Sequence, residues 1–168
     1  MSPAASTDDD AITYRGAVYP WHCDHVGHMN VMWYVGKFDE ATWNLFQRVG
    51  ITPGYLRANQ RGMAAVDQHI QYKRELTAGD VVTIRSTILE IEGRKIRFRH
   101  EMTNGDTGEV AAVTTLLGVH MDTQARKSCP FPAEVIGRAR QLYGAGPGTI
   151  VAGAQAPPGQ AAPPRKTT

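Results

Sequence analysis

The stretch Cys23–Tyr34, CDHVGHMNVMWY, sets a carboxylate, two histidines, a glycine and an asparagine directly ahead of an apolar run. Asparagine is a strong helix N-cap, because its side-chain oxygen accepts from the second or third helical amide. With Asn30 at the cap, the N–H of Val31 at the first helical position has no intrahelical acceptor. A free amide at the positive end of a helix suits an oxyanion developing on a carbonyl. Asp24 lies just upstream, where the same field keeps it ionised and able to act as base or nucleophile at neutral pH. Gly27 lets the chain bend between the two and lets a ligand approach the backbone. His28 orients the carboxylate or lines the pocket in this reading.

The same residues support two other readings. In the first, Asp24 is a loop carboxylate serving helix amides, His28 is bonded to backbone, and His25 is a solvated loop residue. In the second, His22, His25 and His28 recur at intervals of three beside Cys23 and Asp24, as metal ligands on one helical face. The glycine and the cap place the segment outside regular helix, and no distal Cys/His pair matches it, although His69, His100 and His120 are available. No metal is therefore expected.

Thr13–Pro20 alternates and reads as a strand stopped by proline. From about Val31 to Val49 runs a helix closed by Gly50, with Val31, Val35, Phe38, Leu45 and Val49 on its buried face and Ala41 and Thr42 between. The following ITPGYLRANQRG reads as a loop or lid. The period then changes to two. Ala64, Val66, Ile70 and Tyr72 share one face, and Ile96, Phe98, His100 and Met102 oppose Lys95, Arg97, Arg99 and Glu101. Turns at Gly79-Asp80, Gly93-Arg94 and Asn104–Gly108 separate the strands. A last long strand precedes a short helix with Pro near its start. The order predicts an α+β fold, a five-stranded antiparallel sheet wrapped around one long helix.

The 168 residues suggest one domain, with 18 basic and 16 acidic side chains. Balanced charge argues against nucleic acid as a partner. No apolar run approaches the roughly 20 residues of a membrane helix. Two cysteines without a CxxC pair fit a reducing cytoplasm. Residues 1–11 are small and acidic, and 144–168 are rich in Gly, Ala and Pro; both are expected to be disordered tails around a domain at 12–143.

Asp24, Gly27, His28, Met29, Asn30 and Tyr34, placed between the first strand and the helix, resemble the motif of the hotdog-fold acyl-CoA thioesterases of the 4-hydroxybenzoyl-CoA thioesterase family. KFDEA (Lys37–Ala41), YKRELTAGD (Tyr72–Asp80) and GRK (Gly93–Lys95) are similar as well. Two positions depart from the pattern: Val31 stands where a second Asn is usual, and Ile96 where Ser or Thr is frequent. The resemblance implies water cleaving an acyl thioester, with Asp24 as base or nucleophile and the Val31 amide polarising the carbonyl. It implies no cofactor beyond the coenzyme A of the substrate. Gly27, Asn30, Trp33 and Tyr34 would bound the substrate. Arg94 and Lys95 would hold the phosphates, with Lys73, Arg74, Arg126 and Lys127 as weaker candidates. Within the family, the run Val18–Trp43 resembles betainyl-CoA thioesterases, whose cationic acyl group suits an aromatic wall drawn from Trp21, Trp33, Trp43 and Tyr34. The resemblance also implies a homodimer, often paired into a homotetramer. The rival readings are a non-catalytic acyl-CoA-binding module and a hotdog dehydratase.

Overall fold

The computed structural model describes residues 11–145. Of the expected tails, residues 1–10 and 146–168 lie outside these residues, Gly144 caps the last helix and Ala145 is packed into the core. Strand β1 (Ile12–Ala17) and a short 3-10 turn (Pro20–His22) lead to the long helix α1 (Val31–Arg48). Asn30 caps α1, its side-chain oxygen accepting from the Met32 amide at 3.0 Å. At the other end Gly50 takes φ 92°, and the Gly50 and Ile51 amides return to the carbonyls of Gln47 and Phe46. That paired closure requires a left-handed residue, which glycine supplies without a Cβ clash.

The segment read as a loop contains a second helix, α2 (Pro53–Asn59). Thr52 caps it and Pro53 opens it, but it buries no residue, so it leaves no apolar periodicity to read. Strands β2 (Arg61–Tyr72), β3 (Val81–Glu92), β4 (Lys95–Asn104) and β5 (Val110–Asp122) follow, then a two-residue β6 (Lys127–Ser128) and helix α3 (Ala133–Tyr143). The antiparallel sheet has the order β1-β3-β4-β5-β2, with β6 added to β5.

Ile96, Phe98, His100 and Met102 are buried beneath α1, as their alternation predicts. Strand β2 departs from its simple alternation. A bulge between Ala65 and Asp67 inserts Val66, so Ala65 pairs with Gly118 while Gln68 pairs with Leu116. Around the bulge Met63, Ala64, Ala65 and Gln68 border the cleft beside α1, and Val66 is left 57% exposed. Helix α1 buries Tyr34, Phe38, Ala41 and Leu45 rather than Val31 and Val35. At 100° per residue Val35 sits roughly 60° round from Phe38, on the flank shared with Thr42 and Phe46. Val31 overhangs the end of the core.

A line of polar groups crosses this core. Thr13, Ser86, His100 and Thr42 are linked in sequence by hydrogen bonds, and Thr42 donates onward to the Phe38 carbonyl at 2.9 Å. The two edges of the sheet differ. On β1, side chains of α1 donate to backbone carbonyls: Lys37 to Ala17 at 3.0 Å, Asn44 to Thr13 at 2.8 Å and Arg48 to Ile12 at 2.7 Å. On β2, residues 65–69 are exposed.

Candidate active site

The loop before α1 is closed by a bridge between Cys23 and Met29 and by the Asp24 amide donating to the His28 carbonyl at 3.1 Å. Gly27 turns the loop at φ 94° with open space where a Cβ would stand, so it is kept for its backbone and for access. Two further bonds hold the loop from behind, from the Met29 amide to Leu76 O at 2.7 Å and from the Asn30 amide to His22 O at 2.9 Å.

Within it the Asp24 carboxylate accepts from the Val26 amide at 2.9 Å and from the Asn30 side-chain amide at 3.2 Å. Asn30 thus serves twice: its oxygen caps the helix while its nitrogen fixes the carboxylate. The Val26 bond holds the Asp24 carboxyl below the usual carboxylate range against the opposing effect of desolvation, with the Asn30 bond, His25 and His28 adding smaller lowering effects. Among the described residues the Val31 amide has no acceptor, and the residue is 55% exposed. The site therefore presents a fixed carboxylate and a free helix amide, groups suited to attack on a carbonyl.

The histidines separate. His28 Nε2 lies 3.2 Å from Glu75, so its partner is that carboxylate and not Asp24. His22 is buried, its Nδ1 accepting from the Tyr19 amide at 3.0 Å and its ring centroid 4.1 Å from that of Trp33, the two planes tilted by 37°. Burial, with Lys37 nearby, pushes the His22 pKa down. His25 is exposed. Among the described residues no three His, Cys, Asp or Glu side chains are placed to hold a metal ion.

Tyr19, Trp21 and Trp33 pack around His22, whereas Tyr34 packs on Tyr72 and Trp43 on Phe46. Trp21 stacks on Tyr19 at the surface, and Trp33 covers His22. Tyr34 is buried and donates to the Arg74 carbonyl at 3.3 Å. Trp43 lies about 15 Å farther along α1 than Trp33 at 1.5 Å per residue. Its position in the fold keeps it apart from the others.

Two hollows flank Val31. One, of about 370 Å³, has mixed polar and apolar walls, with Val31, Tyr34 and Tyr72 facing His28, Lys73, Arg74 and Glu75. The other, of about 140 Å³, starts one turn on at Val35 and runs between α1 and strands β2, β4 and β5. Arg94 and Lys95 adjoin neither. They are exposed at the β3–β4 turn, where Arg94 donates to Ser128 at 3.1 Å. The Asp24 loop lies at the opposite end of β3, near Val18, which donates to Asp80. The path between the two ends is roughly 35 Å at about 3.3 Å per strand residue. Within one chain the structure thus brings Lys73 and Arg74, rather than Arg94 and Lys95, to the helix N-terminus. The Met29–Leu76 and β2–β5 pairings that do this are long-range and leave no local mark in the sequence.

The family model described as the Thioesterase-like superfamily matches residues 18–138. A betainyl-CoA thioesterase from Pseudomonas aeruginosa is 24% identical over 130 residues, covering 77% of this chain and 82% of the relative. An L-carnitine dehydrogenase/betainyl-CoA thioesterase from Agrobacterium fabrum is 29% identical over 109 residues, which are 65% of this chain and only 22% of that longer protein. A Staphylococcus aureus protein solved in complex with CoA superposes with a TM-score of 0.76 at 19% identity, over 88% of this chain and 96% of its own. With a sheet wrapped around α1 and a family match spanning most of its length, the chain belongs to the Thioesterase-like superfamily and has the hotdog fold.

Proposed function

We propose that the protein hydrolyses acyl-CoA thioesters, releasing a carboxylic acid and free CoA. One observation carries the residue assignment: the Asp24 carboxylate is tied through Asn30 to a helix whose first amide is free. The thioester oxygen accepts from the Val31 amide, which stabilises the negative charge that grows as the carbonyl is attacked. Asp24 either removes a proton from the attacking water or attacks the carbon itself, forming an anhydride that water then opens. In both routes the C–S bond breaks, the sulfur leaves as CoA thiolate and takes up a proton, and the hydroxyl of water ends on the acid. The hollow beside Val31 receives the CoA arm, with Lys73 on its wall to meet the phosphates, and the apolar hollow receives the acyl group. The relative solved with CoA and the relatives named as thioesterases support this reading. Their names put betainyl-CoA among the short substrates to test.

A dehydratase would also use histidine and carboxylate, and His28 does meet Glu75 at 3.2 Å; the Asp24 carboxylate fixed beside the free Val31 amide is what favours hydrolysis. An acyl-CoA-binding module would show binding without turnover. The assembly proposed is a homodimer joined through β2, itself able to pair into a tetramer, because β2 is the open edge and unpaired edges invite strands. The free cysteines Cys23 and Cys129 fit a cytoplasmic setting. Asp24→Asn keeps the shape and removes the base, so thiol release from acyl-CoA should fall by roughly a hundredfold or more while CoA affinity changes little. Near-normal turnover in that variant refutes the assignment.

A further inference from the structure

We infer that two copies join along β2 with their two-fold axis at Gln68, so that Asp67 of each copy pairs with His69 of the other and falling pH tightens the assembly. The inference rests on the dimer reading above and adds its register and its regulation.

The first argument is the face on which the charges stand. Strand β2 pairs with β5 along Arg61–Tyr72 and, among the described residues, has no strand on its other side. Gln68 borders the cleft beside α1 and Ile70 packs against the core, so Asp67 and His69 stand on the outer face of the sheet. Their neighbours on β5, Leu117 and Thr115, carry no charge. The next strand, β4, presents Arg97 and Arg99, the latter paired with Glu101 at 2.7 Å. Two strand spacings of about 4.8 Å keep these groups beyond pairing distance. Among the described residues neither Asp67 nor His69 has an ion pair, and both are exposed.

The second argument is register. Residues directly opposite across an antiparallel pair share a face, so the axis of two identical strands in one continuous sheet passes through a residue and not between two. An axis at Asp67 sets two carboxylates against each other, and an axis at His69 two imidazoles. An axis at Val66 falls on the bulge and puts Asp67 against Ala65. An axis at Ile70 puts Asp67 against Lys73, but draws Lys73 from the hollow beside Val31 and sets Val66 opposite Arg74, past the end of β2. An axis at Gln68 matches Asp67 with His69 twice and brings Val66, 57% exposed, opposite Ile70. It also sets the Tyr72 end of one β2, beside the Val31 hollow, next to the Met63–Ala65 end of the other, which borders the cleft.

The third argument is the sign of the pH dependence. An imidazole takes up its proton between about pH 5 and 8, whereas a carboxylate stays ionised down to about pH 4. Facing Asp67 of the second copy favours the protonated ring, so the dimer binds protons that separate chains do not hold. Association therefore strengthens as the pH falls from 8 towards 5, and weakens again where Asp67 is neutralised. Two opposite-charge cross-strand pairs should change the dissociation rate by about tenfold across the imidazole range.

Register is tested on the full chain with Cys23→Ser and Cys129→Ser as background, adding Asp67→Cys, Gln68→Cys, His69→Cys or Ile70→Cys and oxidising with glutathione disulfide. A residue on the axis lies about 4.5–5.5 Å from its own copy, within disulfide reach, and a residue one place away lies about 8 Å off, beyond it. Gln68→Cys alone should cross-link to itself, and Asp67→Cys mixed with His69→Cys should give the crossed pair. The crossed pair uses only exposed positions, so it decides should Gln68→Cys not fold. Cross-linking at Ile70→Cys instead overturns the inference. So does a chain that sediments as a monomer, or as a dimer in which no position cross-links; both also remove the β2 dimer while thiol release from acyl-CoA still decides the hydrolase reading. Regulation is tested by subunit exchange between dye-labelled and unlabelled wild type, which should run about tenfold faster at pH 8 than at pH 6. Asp67→Asn and His69→Gln should each flatten that profile, and the exchanged Asp67→His/His69→Asp chain should restore it. A flat profile in the wild type, or an unchanged one in both single variants, overturns the ion pairs.

Discussion

Acid should unfold this protein partly through His100. The residue is fully buried on β4, and burial pushes its pKa down to about 3. The surrounding bonds fix its tautomer. Thr42 spends its hydrogen on the Phe38 carbonyl, so its oxygen accepts from His100 Nε2–H, and Nδ1 is left to accept from Ser86. A protonated ring would have a second N–H and no lone pair for the Ser86 hydroxyl. In the unfolded chain His100 takes up a proton near pH 6.5, whereas in the fold it does so only near pH 3. Between those values the unfolded chain binds more protons, so stability is fully present above pH 6.5 and is lost as the pH falls. At 1.36 kcal/mol per pKa unit the whole interval is worth about 5 kcal/mol, of which about 3 kcal/mol is gone by pH 4.5. That is comparable to the total stability of a modest domain. Urea unfolding of the wild type and of His100→Gln at pH 7.5, 5.5 and 4.5 isolates the effect. Glutamine offers an oxygen to Ser86 and an N–H to Thr42 but does not titrate. The variant should be less stable at pH 7.5 by about 1–3 kcal/mol, from imperfect geometry and packing, and the gap should close or reverse by pH 4.5. His22 and His120, whose pKa values burial also lowers, are present in both proteins and cancel in the comparison. Parallel pH dependences in the two proteins would refute the reasoning.

Lys73→Ala should raise KM for CoA thioesters by roughly three- to tenfold with little change in kcat, since a phosphate contact is made equally in ground and transition states. Arg94→Ala/Lys95→Ala should do less, and a thioester of N-acetylcysteamine, which lacks the phosphates, should not distinguish the variants; the reverse order would place the phosphates at the far turn. Asn44→Ala/Arg48→Ala uncovers the carbonyls of Thr13 and Ile12, so it should cost about 1–2 kcal/mol in urea and give concentration-dependent light scattering from edge pairing. A variant that stays as disperse and as stable as the wild type would show that these contacts do not guard the edge.

The long helix and its ends were legible because Asn30 and Gly50 carry local signals whose physics is complete within a few residues. Strand β4 was legible for a similar reason: ten residues alternate without interruption between a wet and a buried face. Strand β2 misled because a bulge is one extra residue in an otherwise regular period, and nothing in Ala64-Ala65-Val66 distinguishes the residue that bulges. Helix α2 left no apolar face because it buries none. At the site, Asn30 was read as a cap, and its second bond to Asp24 depends on the fold of a six-residue loop. That Lys73 and Arg74 stand beside Val31 of the same chain was not legible, because surface charges look alike until the chain's long-range pairings place them.

The exposure of the site in a single chain bears on the assembly. An amide donor stabilises an oxyanion strongly only where water is excluded, because the same hydrogen bond in bulk solvent competes with equally good ones from water. Asp24 and Val31 both face solvent, and the hollow beside them is open. A lone chain would therefore hold the right groups in the wrong medium. The same chain closes one sheet edge with Lys37, Asn44 and Arg48 and leaves the other, β2, available. Strand β2 also supplies Met63 and Ala65 to the apolar cleft and ends at Tyr72, next to Lys73. A second copy pairing there would lie against both hollows at once, so the proposed dimer would remove water from the carbonyl's surroundings as it satisfies the free edge.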